Sequence, residues 1–374
     1  MRELCKSTCV YKVASNNRTA AQAAELQLYS RHKIRYRYKI GINLRASTRS
    51  EQMAKSQYQH YLPQCYLKWF TSEDTSPNRE PAAYIFDYAK PEKSWHSKAP
   101  RNFGGIPDFY KFQQADGSIC NDVEEYWGRL ESRWPNLVKN MENPNFDYAE
   151  EDKEMIAFFI GSLIARVPGE IERTRAFAAE VYMKTTEMFF KIYKAKPDLF
   201  EAEKKRALKK GVDFSSLQAE QLDISKLSVD VPIPFALGMN IAGIAQYAEY
   251  LMNMTWIRIH AGHDGCFITG DRPVSFNNVE YNGEPEGGGW DRLDALITVP
   301  ITRKVALYIG WEEGKPINIL RSHKFEVITF INLETYRRAK NLLVSPSIQF
   351  PGAAEINESL LTKFQSRKAD DSDL

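Results

Sequence analysis

The sequence predicts an α+β fold in which an antiparallel sheet, built from N-terminal and C-terminal strands, packs on a mostly helical middle region. Residues 121–254 carry apolar side chains mainly at helical spacing, whereas the period changes to two after residue 255. The later strand-like stretches are linked by short turns instead of helices. This order favours α+β over alternating βαβ units.

The helical middle begins with residues 121–141, whose apolar side chains fall near one face. Residues 150–195 predict a long helix that is kinked or broken around Pro168, because proline cannot continue a helix without losing a hydrogen bond. Residues 235–254 predict a buried helix, since their apolar run is interrupted by only a few polar side chains. A short helix is also expected within residues 60–70.

Six stretches have the composition and alternation of strands. They are residues 82–89, 256–261, 266–270, 295–301, 304–310 and 325–332. The second and third are expected to form a hairpin, and so are the fourth and fifth. A helix should follow the last strand.

Composition is that of a globular protein, with 43% hydrophobic and 26% charged residues. No stretch reaches the ~18 unbroken apolar residues of a membrane helix. The five cysteines include no CxxC pair, which favours a reducing compartment, and we expect a soluble cytoplasmic protein. The sequence therefore indicates no membrane partner. The net charge of +2 does not favour nucleic acid as a partner, although a local basic patch would permit it.

Residues 1–52 differ from the rest, with 11 Lys and Arg against 3 Glu. Three interpretations stay open: an upstream extension with the native start at Met53, a basic binding arm, or an organelle presequence. We expect this extension to be disordered or not native. A single domain is then predicted over 53–350, followed by a polar tail over 351–374.

Several polar residues stand at the ends of predicted elements. Asp271 leaves a strand in FITGDRP, where a carboxylate suits ligand, metal or base chemistry but would equally cap main-chain amides. Arg166 ends an apolar run, so its guanidinium needs an anion, and Glu131 is the expected partner within the protein. His60 stands among apolar residues of the short helix, where a hydrogen-bonded core histidine is the ordinary alternative to a functional one.

A turn between two of the predicted strands invites a metal interpretation. His260, His263 and Asp264 could converge with Asp271 across the hairpin. Polar residues are also ordinary in such turns, which is the alternative. The sequence contains no GxGxxG, Walker A or GxSxG motif.

Eight blocks, in order, carry a resemblance to a known family. They are HYLPQCYLKWF, AYIFDYAK, RNFGGIPDFYKF, VEEYWGRLESRWPNL, FFIGSLIARVP, FITGDRPV, ALITVPITRKVALYIG and FINLETYRRAKNLLVS. Over residues 57–346 the chain resembles domain of unknown function family 4238. Members often have Ser before the aspartate, where this chain has Gly270. The resemblance implies a shared fold and residue set, but no activity.

Two hypotheses follow from these residues. The first is a hydrolase, such as a metal-dependent nuclease or phosphodiesterase, because acids, a base and an anion-binding group at the ends of different elements suit one pocket. The catalytic residues would be His60, Glu131 and Asp271, with a divalent metal as the cofactor to expect. The substrate-binding residues would be Gln64, Arg166 and Asn332. The second hypothesis is a non-catalytic binding or effector module in which the same six residues are structural.

Overall fold

The computed structural model describes residues 10–15, 39–40, 58–72, 80–110, 112–113, 119–120, 122–209, 216–263, 265–278, 289–311 and 324–372. The chain divides into two compact units. Unit 1 comprises Met1–Ser56, Tyr110–Asp122 and Pro168–Ala242, and unit 2 comprises Gln57–Phe109, Val123–Val167 and Gly243–Leu374. The domain bounds expected from the sequence stay a prediction. Outside strands at 10–15 and 39–40, the extension over residues 1–52 lies outside the described residues.

The helices carry the labels α1 to α8 in chain order. They are α1 Gln64–Leu67, α2 Asp122–Met141, α3 Glu150–Ala165, α4 Pro168–Ala195, α5 Pro197–Lys209, α6 Ile233–Asn253, α7 Lys324–Arg338 and α8 Ala353–Ser372. The break between α3 and α4 confirms the interruption expected around Pro168. No helix among the described residues is long and apolar enough to cross a membrane.

The strands carry the labels β1 to β15. They are β1 Val10–Ser15, β2 Lys39–Ile40, β3 Tyr58–His60, β4 Ala83–Asp87, β5 His96–Lys98, β6 Gly105–Pro107, β7 Phe112–Gln113, β8 Ile119–Cys120, β9 Leu227–Asp230, β10 Thr255–His260, β11 Thr269–Gly270, β12 Ser275–Asn278, β13 Ala295–Pro300, β14 Val305–Gly310 and β15 Leu342–Ser345.

Unit 2 contains two four-stranded antiparallel sheets. One has the order β11-β15-β4-β5 and so joins N-terminal to C-terminal strands, as the sequence predicted. The other has the order β10-β14-β13-β12 and includes the expected hairpin of β13 and β14. With the helices, these sheets confirm the α+β class.

The hairpin predicted for residues 256–261 and 266–270 is wrong. The first of these stretches, β10, pairs with β14, and the second contributes β11, which pairs with β15 in the other sheet. Two strands close in sequence usually pair with one another, but here the turn between them sends the chain into a different sheet. Local alternation carries no information about which sheet a strand joins.

The strand predicted at residues 325–332 is also wrong, because these residues belong to α7. Val327, Ile328, Ile331 and Thr335 are all buried, at the spacing of one helix face. All four are β-branched and so have the composition of a strand, but packing overrides that propensity. The helix ends at Arg338, so the last three residues of the helix predicted over LETYRRAKNLLV belong to β15 instead.

The core of unit 2 is formed by side chains from α1, α2, α3 and both sheets. Trp134 and Phe159, from α2 and α3, stack with their ring centroids 3.6 Å apart. Burying an aromatic or aliphatic side chain of this size stabilises a fold by about 1.5–3 kcal/mol. α8 also packs on this unit through the buried Ile356 and Leu360, although the sequence predicted only a polar tail there.

Unit 1 has smaller apolar clusters than unit 2. One cluster is centred on Ala178 of α4 and on Val231, the residue after β9. Beside it, Arg175 donates to the main-chain oxygen of Val231 and to the carboxylates of Glu172 and Asp230. In this unit a long guanidinium side chain therefore ties a helix to a strand.

Candidate functional site

Arg166 organises the first group of predicted site residues. It follows the last turn of α3, and its side chain is only 3% exposed. Nη1 donates to Oε1 of Glu131 over 2.8 Å, and Nη2 donates to the main-chain oxygen of His60 over 2.9 Å. The guanidinium carbon lies 4.7 Å from the centroid of the Trp127 ring. The predicted ion pair between Arg166 and Glu131 is therefore confirmed.

One face of α2 provides the surroundings of this guanidinium. Glu124, Trp127 and Glu131 are three and four residues apart, and side chains at that spacing share a helix face. The Trp127 ring offers its π electrons to the cation while Glu131 balances the charge. Neither Glu124 nor Trp127 was chosen from the sequence as a site residue. The seven-residue spacing of Glu124 and Glu131, which places both on one edge of α2, was the sequence signal that could have identified this face.

His60 ends β3 and does not lie on a helix, contrary to the expectation from its neighbours. Its Nδ1 is 3.4 Å from Nε2 of Gln64, which begins α1. Burial lowers the pKa of His60, and the positive charge of Arg166 lowers it further, while the main-chain oxygen of Pro100 and the carboxylate of Glu131 act in the opposite direction. The imidazole is therefore neutral near pH 7.

A close approach of two strands holds His60 in this place. β3 pairs with β6, and His60 stands opposite Gly105. A Cβ atom at Gly105 would lie 2.7 Å from the main-chain oxygen of Gln59, a distance that real Cβ atoms do not tolerate. Only glycine can occupy this position without moving the strand that carries His60.

Two further ionisable groups stand near the arginine. Burial raises the pKa of Glu124, an effect that the charge of Arg166 partly offsets and the charge of Glu131 reinforces. Burial also raises the pKa of the Cys65 thiol to about 12, with the nearby Glu131 carboxylate acting in the same direction. A thiol with such a pKa stays protonated at neutral pH, so Cys65 is a poor nucleophile.

Asp271 has a different environment. The residue is 2% exposed and follows β11. Its carboxylate accepts hydrogen bonds from the main-chain N–H groups of Lys340, Asn341 and Leu342 at 2.9–3.4 Å, and from the Asn341 side chain at 3.0 Å. The main-chain N–H of Asp271 donates to the Leu342 oxygen. Asp271 therefore holds the turn between α7 and β15, as the capping alternative expected.

The glycine before Asp271 belongs to the same arrangement. A Cβ at Gly270 would lie 2.9 Å from the main-chain oxygen of Leu342 and 3.1 Å from Cβ of Ala339. Gly270 therefore permits the close approach of β11 to β15.

Asn332 lies on α7 and is fully buried. Its Oδ1 accepts from the main-chain N–H of Ile268, and its Nδ2 donates to the main-chain oxygens of Cys266 and Pro351. One side-chain amide thus satisfies main-chain groups from two separate segments. Its helical position was not expected, because the sequence placed it in a strand.

The six predicted site residues therefore divide into two groups. His60, Gln64, Glu131 and Arg166 form one group joined by direct contacts, which we call the Arg166 cluster. Among the described residues, neither Asp271 nor Asn332 forms a hydrogen bond with any of these four. Direct contacts therefore link His60 and Glu131 through Arg166 but do not include Asp271, and a shared catalytic role of the three stays a prediction.

The metal interpretation finds little support in the turn at residues 261–265. Asp264 lies outside the described residues, and His263 is exposed. The ammonium of Lys304 donates to the main-chain oxygens of Gly262 and Gly265, and this positive charge disfavours a metal cation at the turn. Across the described ranges, no group of three or more His, Cys, Asp and Glu residues could hold a metal ion.

The fold and these contacts define an α+β protein with a polar cluster around a buried arginine and with two buried polar side chains bonded to the main chain. A sequence model of the family described as "Protein of unknown function (DUF4238)" matches residues 58–347, and the chain belongs to this family. No curated protein and no solved structure matches the chain.

Proposed function

We propose that the chain is a non-catalytic binding module in which the six polar residues serve the fold. The observation that carries this proposal is the commitment of Asp271 and Asn332 to main-chain partners. Asp271 accepts from three consecutive main-chain N–H groups, and Asn332 bonds to three more main-chain groups. A buried polar side chain with such partners is explained by the need to satisfy the main chain.

Arg166 supports the same proposal. A guanidinium that clamps a phosphate must present free N–H groups to the ligand. Here two of its nitrogens already donate to Glu131 and to the His60 carbonyl, and the Trp127 ring covers the group. The contacts tie α2, α3 and β3 together.

Replacement of Arg166 tests the structural role. Arg166→Met should lower the free energy of unfolding by about 1–3 kcal/mol, because the part-buried Glu131 and the His60 carbonyl lose their partner. Urea unfolding followed by circular dichroism measures this change. Arg133→Met, at an exposed arginine of α2, is the control and should change stability by less than about 0.5 kcal/mol. An Arg166→Met protein as stable as the control would contradict the structural role.

A hydrolase is the second candidate function, favoured by the ionisable groups around His60. A neutral imidazole can accept a proton, and Glu124, with its raised pKa, and Glu131 both act electrostatically with Arg166. A phosphodiesterase of this kind would use the His60 imidazole as the base, in the same cluster as Glu131, whose charge raises the pKa of His60.

Hydrolysis of bis(p-nitrophenyl) phosphate, with and without added Mn²⁺ or Mg²⁺, separates the two functions. Under the binding proposal, the wild-type chain and His60→Gln give the same background rate, and the substitution changes only the melting temperature. Metal-dependent hydrolysis by the wild-type chain, lost in a His60→Gln protein that still folds, would refute the binding proposal.

A further inference from the structure

A second polar surface of unit 2 contains none of the six predicted site residues. It is a depression of about 470 Å³ lined by Gln246, Glu249, Tyr250, Asn253 and Trp311. We call it the α6 depression, because four of these residues belong to α6. They are spaced by three, four and seven positions, so they follow one face of the helix. A volume of this order is that of a small-molecule site.

The aromatic wall of the depression is held in place from behind. Nε1 of Trp311 donates to the main-chain oxygen of Trp290 over 2.9 Å. The Trp290 ring is stacked on Phe276, with centroids 5.4 Å apart, and also contacts Tyr250 at 6.4 Å. Trp290 thus positions Trp311 through its main-chain oxygen and Tyr250 through its ring before any ligand arrives, which reduces the entropic cost of binding.

The charge of the lining has one sign. Glu249 is exposed, and its carboxylate forms no ion pair with any residue of the described ranges. The other four lining residues are neutral. Nδ2 of Asn253 donates to the main-chain oxygen of Glu249, which leaves the Asn253 side-chain oxygen as an acceptor. Carboxylate and amide oxygens beside aromatic rings accept N–H groups and attract cations.

We propose that the α6 depression binds a small organic cation, with an ammonium head group that pairs with Glu249 and rests against Tyr250 and Trp311. A quaternary ammonium fits these groups best, because it needs an opposite charge and aromatic surface but no hydrogen-bond acceptor at nitrogen. The inference rests on the proposed binding function, for which it names the site and the ligand class.

Choline is the probe, and 3,3-dimethylbutan-1-ol is its matched control because it has the same shape without the charge. Calorimetric titration of the full-length chain should give saturable binding of choline and binding of the neutral alcohol at least about tenfold weaker. Absence of choline binding, or equal binding of the two compounds, would overturn the inference.

Two substitutions place the binding in this depression. Glu249→Gln should weaken choline binding about tenfold or more, whereas Glu358→Gln, at an exposed glutamate of α8, should leave it unchanged. Tyr250→Leu should also weaken it, and the melting temperature of each variant shows whether the protein still folds. Unchanged binding in a folded Glu249→Gln protein would overturn the site.

Failure of the choline proposal can be distinguished from failure of the proposed function. Failure of choline to bind, together with a large loss of stability in Arg166→Met, removes this ligand and leaves the structural role of the cluster intact. Hydrolysis that depends on His60 would refute the proposed function, whether or not choline binds.

Discussion

Two groups of polar residues in unit 2 are buried in different ways. Asp271, which follows β11, and Asn332, which lies on α7, are almost completely buried and bond mainly to the main chain. The Arg166 cluster is bonded largely through side chains, and Glu131 keeps 27% of its side chain exposed. The first pair therefore has one arrangement available, whereas Glu131 of the cluster can exchange its protein partner for water.

This difference has an energetic consequence. A main-chain N–H or C=O cannot be removed by evolution or by substitution, so a buried one needs a partner from elsewhere in the chain. A side-chain pair at a partly exposed position can be replaced or rehydrated at smaller cost. Stability should therefore depend more strongly on Asp271 and Asn332 than on the Arg166 cluster.

The largest expected effect is that of Asn332→Asp. A carboxylate at this position would face the main-chain oxygens of Cys266 and Pro351, where Asn332 now donates. We expect a loss of about 3–5 kcal/mol at pH 7 in urea unfolding, because the buried charge then keeps one donor, the Ile268 N–H, and faces two carbonyl oxygens. Asn332→Ala is the matched control and should cost less. Equal stability of the two variants would contradict the expected cost of the buried charge.

Asp271→Ala should have the next largest effect. It removes the acceptor for the N–H groups of Lys340, Asn341 and Leu342, of which only the last belongs to a buried residue. We expect a loss of about 2–4 kcal/mol. Asp87→Ala, which removes one exposed bond to the Ala89 N–H, is the control and should cost less than about 1 kcal/mol. A smaller loss of stability at Asp271 than at Asp87 would contradict the strong dependence on the main-chain bonds of Asp271.

The smallest expected effect is a pH dependence due to His60. Burial lowers the pKa of His60 in the folded state. Below the ordinary histidine pKa of about 6.5, the unfolded chain therefore binds a proton more readily than the folded chain. The contribution of His60 is therefore constant above that pH, and stability falls as the pH decreases through it. Unfolding free energies measured between pH 7.5 and pH 5, about one unit or more on either side of that value, should decrease less in His60→Gln than in the wild-type chain.

Glu124 acts in the opposite direction and needs its own control. Its pKa is raised in the folded state, so its contribution is present at low pH and is lost as the pH rises through the raised value. Glu124→Gln removes this contribution. If the slopes of wild type and His60→Gln coincide in the Glu124→Gln background, His60 is not the group that titrates.

Much of the helical part of the fold could be predicted from the sequence. The limits of α2 and the break before α4 follow from apolar periodicity and from Pro168, which are local properties of the chain. The partner of Arg166 could also be predicted, since a cation at the end of an apolar run needs an anion and Glu131 stood on a predicted helix edge.

The errors concern residues whose local pattern fits two structures. The β-branched residues of α7 suit a strand by propensity, and only packing on one face makes them helical. β10 and β11 satisfy the pattern of a hairpin, yet each finds its partner far away in the chain. Whether a strand pairs with its neighbour in sequence or with a distant strand depends on all the strands of the fold. A short stretch of sequence therefore cannot predict it.

By itself, the sequence determined the α+β class, most helices, and the need of Arg166 for an anion, because periodicity and charge are properties of neighbouring residues. Only the tertiary structure decided that Asp271 and Asn332 bond to the main chain. Their partners at residues 340–342, 266–268 and 351 belong to other segments. Hydrogen-bond partners of a buried side chain are set by how segments pack, and that information lies in the assembled fold.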